Sequence, residues 1–442
     1  MSMFQDTVAA IATPPGKGGI GVVRISGDRC SKICRSLTGV LPEPNQAKYV
    51  AFKTKDKHLI DKGIVLYFKS PHSYTGEDVL ECQIHGSDIV LQLLLDEIVA
   101  LGARLAKPGE FTERAFLNDK LDLVQAEAVS DLIDSKSKKA ARSAMQSLTG
   151  VFSNQIDQLQ QQVFNAKALL EASLDFPEEG DVEINVAPVI LDIEQALETV
   201  IKLLHNAEAG SILSNNSSIV LAGKPNVGKS SLLNYLSRQE AAIVSETPGT
   251  TRDLVKQNVL IDGYEVTLVD TAGIRDTVNE VEQEGVERSL KALKTADLIL
   301  YITDSDEDQF FLDQYTPENS NIIYIRNKID LCEDRPTPKG EQLAVSAKTG
   351  EGMIDFLETI KYRLKGTDTD ENLILARKRH IDALQSAKSF LEQSLSLINN
   401  NQGQELVSES LRQVLVCFDD ITGKTTSDDI LGAIFSQFCI GK

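Results

Sequence analysis

Tryptophan is absent from this 442-residue chain, cysteine occurs six times and histidine five. The cysteines (30, 34, 82, 332, 417 and 439) form no C-x-x-C pair. That scatter argues against a disulfide framework and against a cysteine zinc site, and a reducing cytoplasm is expected. The histidines (58, 72, 85, 205 and 380) include no i, i+4 pair, so no histidine metal site is expected. His85, beside Gly86, reads as a hydrogen-bonded structural histidine. No apolar run reaches membrane-spanning length. The first residues, MSMFQDTVAAIATPPGKGG, lack a basic segment ahead of an apolar core, so no signal peptide is expected.

Positive charge is also in short supply. Lys and Arg number 45 against 65 Asp and Glu, a net charge of −20. The deficit is uneven: residues 1–118 carry 14 basic against 13 acidic side chains, and residues 119–442 carry 31 against 52. A surface this acidic repels phosphate backbones, so any nucleic-acid contact is expected on the N-terminal part or on a partner protein. What is present is globular in composition, 42% hydrophobic and 25% charged, and long enough for two to four domains.

Three kinds of sequence alternate. Residues 1–118 are rich in Gly and Pro and hold short β-like runs (GIGVVRIS, GIVLYFK, DVLECQIHG) before a helical run, SDIVLQLLLDEIVALGA. This predicts a mixed α/β domain. From about 119 the pattern is helical. Phe152, Ile156, Leu159, Val163, Ala166 and Leu170 recur every three or four residues, which makes one apolar seam along a long helix. DFPEEGD ends it, and Ile193, Leu197, Val200 and Leu204 predict the seam of the next helix. Between 214 and 366 strands alternate with helices (SSIVLAG, YEVTLVD, DLILYIT, NIIYIRN), which predicts a parallel sheet. Helical pattern resumes near 372. An α/β module is thus expected to be inserted into a helical domain, giving domains 1–118, 119–213 with 367–442, and 214–366.

The inserted module carries the strongest chemical signal. Gly223-Lys-Pro-Asn226-Val227-Gly228-Lys229-Ser230 matches G-x-x-x-x-G-K-[ST] between a strand and the helix SSLLNYLSR, of which Ser231 is part. Glycines let backbone N–H groups wrap phosphates, Lys229 reaches the β- and γ-phosphates, and the Ser230 hydroxyl can hold Mg²⁺. VDTAG follows a strand: Asp270, Thr271, Ala272 and Gly273 read as the segment that orients the Mg²⁺ shell and senses the γ-phosphate. PGTT (Pro248, Gly249, Thr250, Thr251) reads as a switch loop offering Thr251 to Mg²⁺. In NKID, Asn327, Lys328 and Asp330 follow a strand, with Asp330 set to accept the guanine N–H groups. SAK (Ser346, Ala347, Lys348) completes a guanine site. Over 214–366 the module resembles the Era-like GTPases of the Ras superfamily. Ile274 stands where Ras-type proteins carry a water-orienting Gln. Glu280, Glu282 and Glu284 lie just downstream, and composition alone does not choose among them.

Two decoys fall away. ITGKTT (421–426) has Phe418 where a P-loop needs its upstream Gly, and GKGGIG (16–21) reads as a flexible loop. The tail FCIGK poses a sharper question. Cys439 suits a lipidation box, a metal ligand, a reactive thiol or a buried side chain. Gly441 is not aliphatic and Lys442 is an atypical last residue, which argues against lipidation. A metal site lacks partners in sequence. Gly441 and Lys442 are unusual packing material for a buried tail.

The whole pattern resembles the TrmE/MnmE family of bacterial tRNA-uridine modification GTPases. The residues that carry the likeness are TPPGKGGIGVVRISG (13–27), SYTGEDVLECQIHG (73–86), PGEFTERAFLNDKLDLVQAEAVSDLID (108–134), the GTPase motifs and FCIGK. The resemblance implies an α+β folate-binding N-terminal domain that mediates homodimerisation, a helical central domain, and an inserted Ras-like P-loop GTPase domain with a parallel-rich sheet flanked by helices. It implies a cytoplasmic enzyme that works with a flavoprotein partner, GidA or MnmG, which holds the FAD. Together they add an aminomethyl or carboxymethylaminomethyl group at C5 of the wobble uridine of certain tRNAs, with tetrahydrofolate supplying the methylene carbon. By the same resemblance the GTP contacts extend over Ser245, Glu246 and Thr247. K⁺ is held by Asn226, Ser245, Thr247 and Thr250 as GTPase modules pair, and Glu282 positions the attacking water. Ser245 stands where members often carry Thr. Folate falls to Arg24, Glu81, Lys120 and Lys442, with Cys439 a candidate reactive thiol. The tail is then expected to return towards the folate pocket, and tRNA contact to run mainly through the complex. A different class, a GTP-gated scaffold for ribosome assembly of Era type, is disfavoured because its relatives carry basic RNA-binding appendages and this chain's are acidic helices.

Overall fold

The computed structural model describes residues 6–135, 137–175, 187–214, 217–224, 226–239, 255–261, 264–270, 292–293, 296, 298–305, 321–332, 342–365, 374, 376–400, 402–424, 428–436 and 438–441. The chain divides into two compact units: residues 1–130, 147–197 and 386–442, and residues 131–146 and 198–385.

The first unit begins with β1 (Val8–Ile11), β2 (Gly18–Ser26), α1 (Cys30–Thr38), β3 (Lys48–Lys53), β4 (Leu59–Phe68), β5 (Val79–Gly86), α2 (Asp88–Ala100), β6 (Arg104–Leu105) and α3 (Glu110–Leu117). The strands form one sheet in the order β3-β4-β5-β2-β1-β6, antiparallel except for the β1–β6 pair. Strand side chains alternate between faces. One face is apolar: Val23, Ile25, Phe52, Val65, Leu80, Cys82 and Ile84 pack with Ile33 and Leu37 of α1 and Leu91, Leu94 and Ile98 of α2. The alternate positions, among them Arg24, Glu81, Gln83 and His85, belong to the other face. GKGGIG is not the loop expected from sequence. Gly18 to Gly21 open β2 with a bulge, because a Cβ at Gly86 would meet the Gly18 carbonyl at 2.6 Å and only glycine permits that approach.

Helices follow: α4 (Leu123–Asp134), α5 (Lys138–Leu148), α6 (Val151–Asp175) and α7 (Ala187–Ser214). All six seam residues of α6, from Phe152 to Leu170, are buried. The seam of α7 differs from expectation. Leu197 and Leu204 are only half-buried, and the buried line is Val189, Ile193, Ala196, Val200, Leu203 and Ala207. It keeps the same spacing, and alanine takes two places because a small side chain admits close approach.

The second unit holds β7 (Ser217–Ala222), α8 (Lys229–Gln239), β8 (Val255–Ile261), β9 (Tyr264–Asp270), β10 (Leu298–Thr303), β11 (Ile322–Arg326), a 3₁₀ turn at Ile329–Leu331, β12 (Leu343–Ala344) and α9 (Met353–Lys365). Its sheet runs β12-β11-β10-β7-β9-β8, parallel but for the β8–β9 pair. β10 is buried along its whole length, as a strand covered on both faces must be. Ile219, Leu221, Leu300, Ile302 and Ile325 pack with Leu232, Leu233 and Leu236 of α8 and Phe356 and Ile360 of α9. The chain closes with α10 (Lys378–Asn399), α11 (Gln404–Thr422) and α12 (Asp428–Phe435), and α6 packs along α11 in the first unit. Among the described residues no helix is long and apolar enough to cross a membrane.

Candidate functional site

Parallel pairing sends the C-terminal ends of β7, β9, β10, β11 and β12 to one edge of the second unit's sheet. Every described nucleotide motif lies on that edge, where ligands of open α/β sheets bind. After β7 the chain turns through Gly223 (φ 143°), Asn226 (φ 66°) and Gly228 (φ 100°). The Lys229 amino group, almost fully buried, donates to the carbonyls of Gly223 (2.8 Å) and Lys224 (2.9 Å), so the lysine crosses its own loop. Val227 anchors the loop in the apolar core, while Asn226, Ser230 and Ser231 stay exposed.

Asn327 joins the two ends of the site. Its Nδ2 donates to the Val227 carbonyl (2.9 Å), and its Oδ1 accepts the Ala347 N–H (3.1 Å). The loop after β7 and the SAK loop are thereby fastened to one buried amide. Gly228 lies against it: a Cβ there would meet Asn327 Nδ2 at 2.1 Å. The Ser346 hydroxyl donates to Asp330 Oδ1 (2.7 Å) and accepts the Thr349 N–H (3.2 Å), which aims an exposed carboxylate. Lys328, at φ 64°, pairs with Asp304 (2.9 Å). The arrangement can cradle a polyphosphate at one end and accept two ring N–H groups at the other. Asp270 ends β9. Ser245, Glu246, Thr247, Pro248, Gly249, Thr250, Thr251, Thr271, Ala272, Gly273, Glu280, Glu282 and Glu284 lie outside the described residues, as does Lys442.

In the first unit Arg24 and Glu81 face each other across β2 and β5, Nε to Oε1 at 3.0 Å. The Arg24 guanidinium lies over the rings of Tyr74 and Phe111, 5.7 and 5.8 Å from their centres. The tail arrives here: Arg24 Nη1 donates to the Gly441 carbonyl at 3.4 Å. Gly441 is buried, at φ 96°, and a Cβ would meet the Ile11 carbonyl at 2.4 Å. The expectation that this glycine makes poor packing material is corrected, since its missing side chain is what lets the tail lie on β1. Cys439 is exposed, not buried, and its carbonyl accepts the Gly109 N–H (3.5 Å). It lines a cavity of about 700 Å³ with Ala10, Ile11, Thr13, Gln92, Leu105 and Ile440. Lys120 donates to the Pro71 carbonyl (3.0 Å), on the loop that also supplies Tyr74.

A buried ion cluster beneath this face had no sequence signal beyond the i, i+4 spacing of Glu110 and Arg114. Arg114, fully buried, pairs with Glu77 (2.9 Å), Glu110 (2.9 Å) and Asp6 (2.7 Å). Burial pushes the Asp6 and Glu110 carboxyls up, and hydrogen bonds from Arg104 and Arg114 more than reverse it, so both lie below their usual values. His85, its ring 76% exposed, holds Asp61 at 2.9 Å. Partial burial pushes the Asp61 carboxyl up, and the His85 and Lys62 N–H groups bring it below its usual value.

Family models match nearly the whole chain. The model described as the GTP-binding protein TrmE N-terminus covers residues 7–120, and the MnmE helical domain covers residues 123–439. The tRNA modification GTPase MnmE of Hydrogenovibrio crunogenus is 44% identical over 447 residues, 99% of each chain. That of Marinobacter nauticus is 44% identical over 457 residues, 100% of each, and that of Nitrosomonas europaea 46% over 454 residues, 99% of each.

Proposed function

Because the chain belongs to the MnmE family of tRNA modification GTPases, we propose that it hydrolyses GTP and, with a flavoprotein partner of the GidA/MnmG kind, adds a (carboxymethyl)aminomethyl group at C5 of the wobble uridine of certain tRNAs. The observation that carries the GTPase half is the Asn327 amide, which ties the phosphate loop to the SAK loop while Ser346 aims Asp330. A carboxylate held that way accepts the guanine N1–H and N2–H and rejects adenine, which presents an acceptor at N1.

The residues fit the groups this reading requires. Lys229 already satisfies two carbonyls at the turn of the loop, so its ammonium can move to phosphate oxygens without leaving a buried charge unpaired. Ser230 in the first turn of α8 would hold Mg²⁺ with Thr251. Asn226 would offer its amide oxygen to K⁺ beside Ser245, Thr247 and Thr250, an all-oxygen set that suits an alkali cation. Bound K⁺ supplies the positive charge that a Ras-type protein borrows from an arginine finger as two GTPase modules pair. Glu282 would orient the attacking water. On the first unit, Arg24, Glu81, Lys120 and Lys442 would hold a tetrahydrofolate derivative, which supplies the one-carbon unit. The Arg24 guanidinium, set over the Tyr74 and Phe111 rings, suits ring carbonyls or a carboxylate tail, and Glu81 presents a carboxylate to an amide-like edge. Cys439 is the nearby candidate thiol. The domains that go with this reading are 1–118, 119–213 with 367–442, and 214–366, in a cytoplasmic homodimer.

The test is the nucleoside profile of tRNA from a strain lacking this gene. Loss of the C5-modified wobble uridine is expected, and an unchanged profile refutes the modification. Hydrolysis of GTP should be faster in K⁺ than in Na⁺; equal rates would defeat the K⁺ assignment.

A further inference from the structure

The hairpin of β3 and β4 contradicts the charge of the rest of the chain. Between residues 48 and 69 it carries Lys48, Lys53, Lys55, Lys57, Lys62 and Lys69 against only Asp56 and Asp61. All six lysines are exposed, and the structure pairs none of their amino groups with a carboxylate. Two of the nearby acids are occupied, Asp61 by His85 and Glu97 of α2 by the Lys55 N–H (2.8 Å). Lysine on an edge strand guards against sheet-to-sheet pairing. That accounts for Lys48 and Lys53 on β3. It does not account for Lys55 and Lys57 at the turn, or for Lys62 on β4, which is paired on both sides.

An aromatic side chain stands among the charges. Tyr49 is 71% exposed and shares the outer face of the sheet with Ile64, its partner on β4, and with Gln83, the partner of Ile64 on β5. The next row on that face runs Leu66, Glu81, Arg24. Three strand spacings, about 14 Å, separate the backbones of β3 and β2. Basic side chains around an exposed ring, on a face that leads to Arg24 and Glu81, have the chemistry that holds an unpaired stretch of RNA: cations on phosphates, and a ring under a base.

We infer that the outer face of the β3–β4 hairpin is a docking surface for the RNA substrate, with Lys53, Lys55, Lys57 and Lys62 on its phosphates and Tyr49 beneath an unstacked base. This rests on the tRNA-modification reading and locates the substrate within it. It also changes the expectation that RNA contact runs mainly through a partner, because the acidic bulk of the chain would steer an RNA towards a region that does not repel it.

The test uses the full-length protein and an unmodified tRNA transcript with uridine at the wobble position, with affinity read by fluorescence anisotropy from 50 to 200 mM KCl. The variant Lys53→Glu/Lys55→Glu/Lys57→Glu/Lys62→Glu should bind at least about tenfold more weakly at the low-salt end, and its log–log salt slope should be shallower by about three. GTP hydrolysis and sedimentation should stay as in the wild type. Tyr49→Ala should lose about fivefold or more in affinity with no change of slope. A variant that binds like the wild type overturns the inference, as does a wild-type protein with no salt-dependent affinity. A quadruple variant that changes its oligomeric state instead identifies a second copy of the chain as the occupant, and overturns it too. In cells the two readings separate. If deleting the gene leaves the wobble-uridine profile intact, the modification reading fails. If deletion abolishes the modification and the charge-reversed gene restores it fully, only the docking surface fails.

Discussion

The two sheets of this molecule carry chemistry in opposite ways. In the second unit the strands are apolar and the functional groups sit in loops at one edge, where parallel pairing gathers them. In the first unit the groups sit in mid-strand, Arg24 beside Glu81, on a face whose reverse side is core. A loop site is written as contiguous motifs, because each loop must satisfy local constraints of turn, phosphate and base. A face site is written one residue in two, spread over strands distant in sequence, and each residue alone looks like an ordinary surface charge.

The contrast predicts different failures. The largest effect should come from Arg114→Ala, which strands Glu77 and Glu110 without their buried partner. Loss of such a partner costs about 3–5 kcal/mol, read as a lower denaturation midpoint for the first unit with GTP affinity unchanged. The same cluster sets a pH dependence. Asp6 and Glu110 have lowered values in the folded protein, so their contribution is complete above the unfolded values of about 4 and is lost as pH falls through the folded ones. Acid unfolding of the first unit should begin at higher pH in Arg114→Ala, and an unchanged acid profile would contradict this account of the cluster.

A smaller and more local effect belongs to the loop site. Gly228→Ala forces a side chain into φ 100° and into the amide of Asn327, which is held from both sides and cannot withdraw. Strain of about 3 kcal/mol predicts roughly a hundredfold loss of GTP affinity with the first unit's stability intact. Calorimetry that finds wild-type affinity would show that the loop yields. The smallest expected effect is Ser346→Ala. It removes one hydrogen bond from the base-reading carboxylate, worth about 1 kcal/mol, and should cost about fivefold in GTP affinity while ATP binding stays as poor as before.

The segments of the loop site that the structure describes could be picked out in the sequence. The P-loop, NKID and SAK segments named their own contexts, and the strands around them fell where apolar runs predicted. What the motifs did not reveal was Asn327 as the brace between loops, since nothing local to NKID points at the Val227 carbonyl. The seam of α6 was read correctly from spacing. That of α7 was drawn through Leu197 and Leu204 because large apolar residues outweigh alanine in a pattern, whereas packing selected Ala196 and Ala207. The first unit was harder. Its strands could be read, but the burial of Arg114 and Glu110 could not, because charged residues on a short helix normally face water. The cavity beside Cys439 and the basic hairpin arise from tertiary packing and became visible only with the fold.

The contact between Arg24 and Gly441 joins residues 417 positions apart. A ribosome adding about 5–20 residues per second makes the two partners roughly 20–80 s apart. Through that interval the arginine is not idle: Glu81 emerges soon after it and holds the guanidinium against the sheet. The early strands thus keep a prepared berth for a segment made much later, and the order of synthesis leaves this contact of the first unit unmade until that segment has emerged.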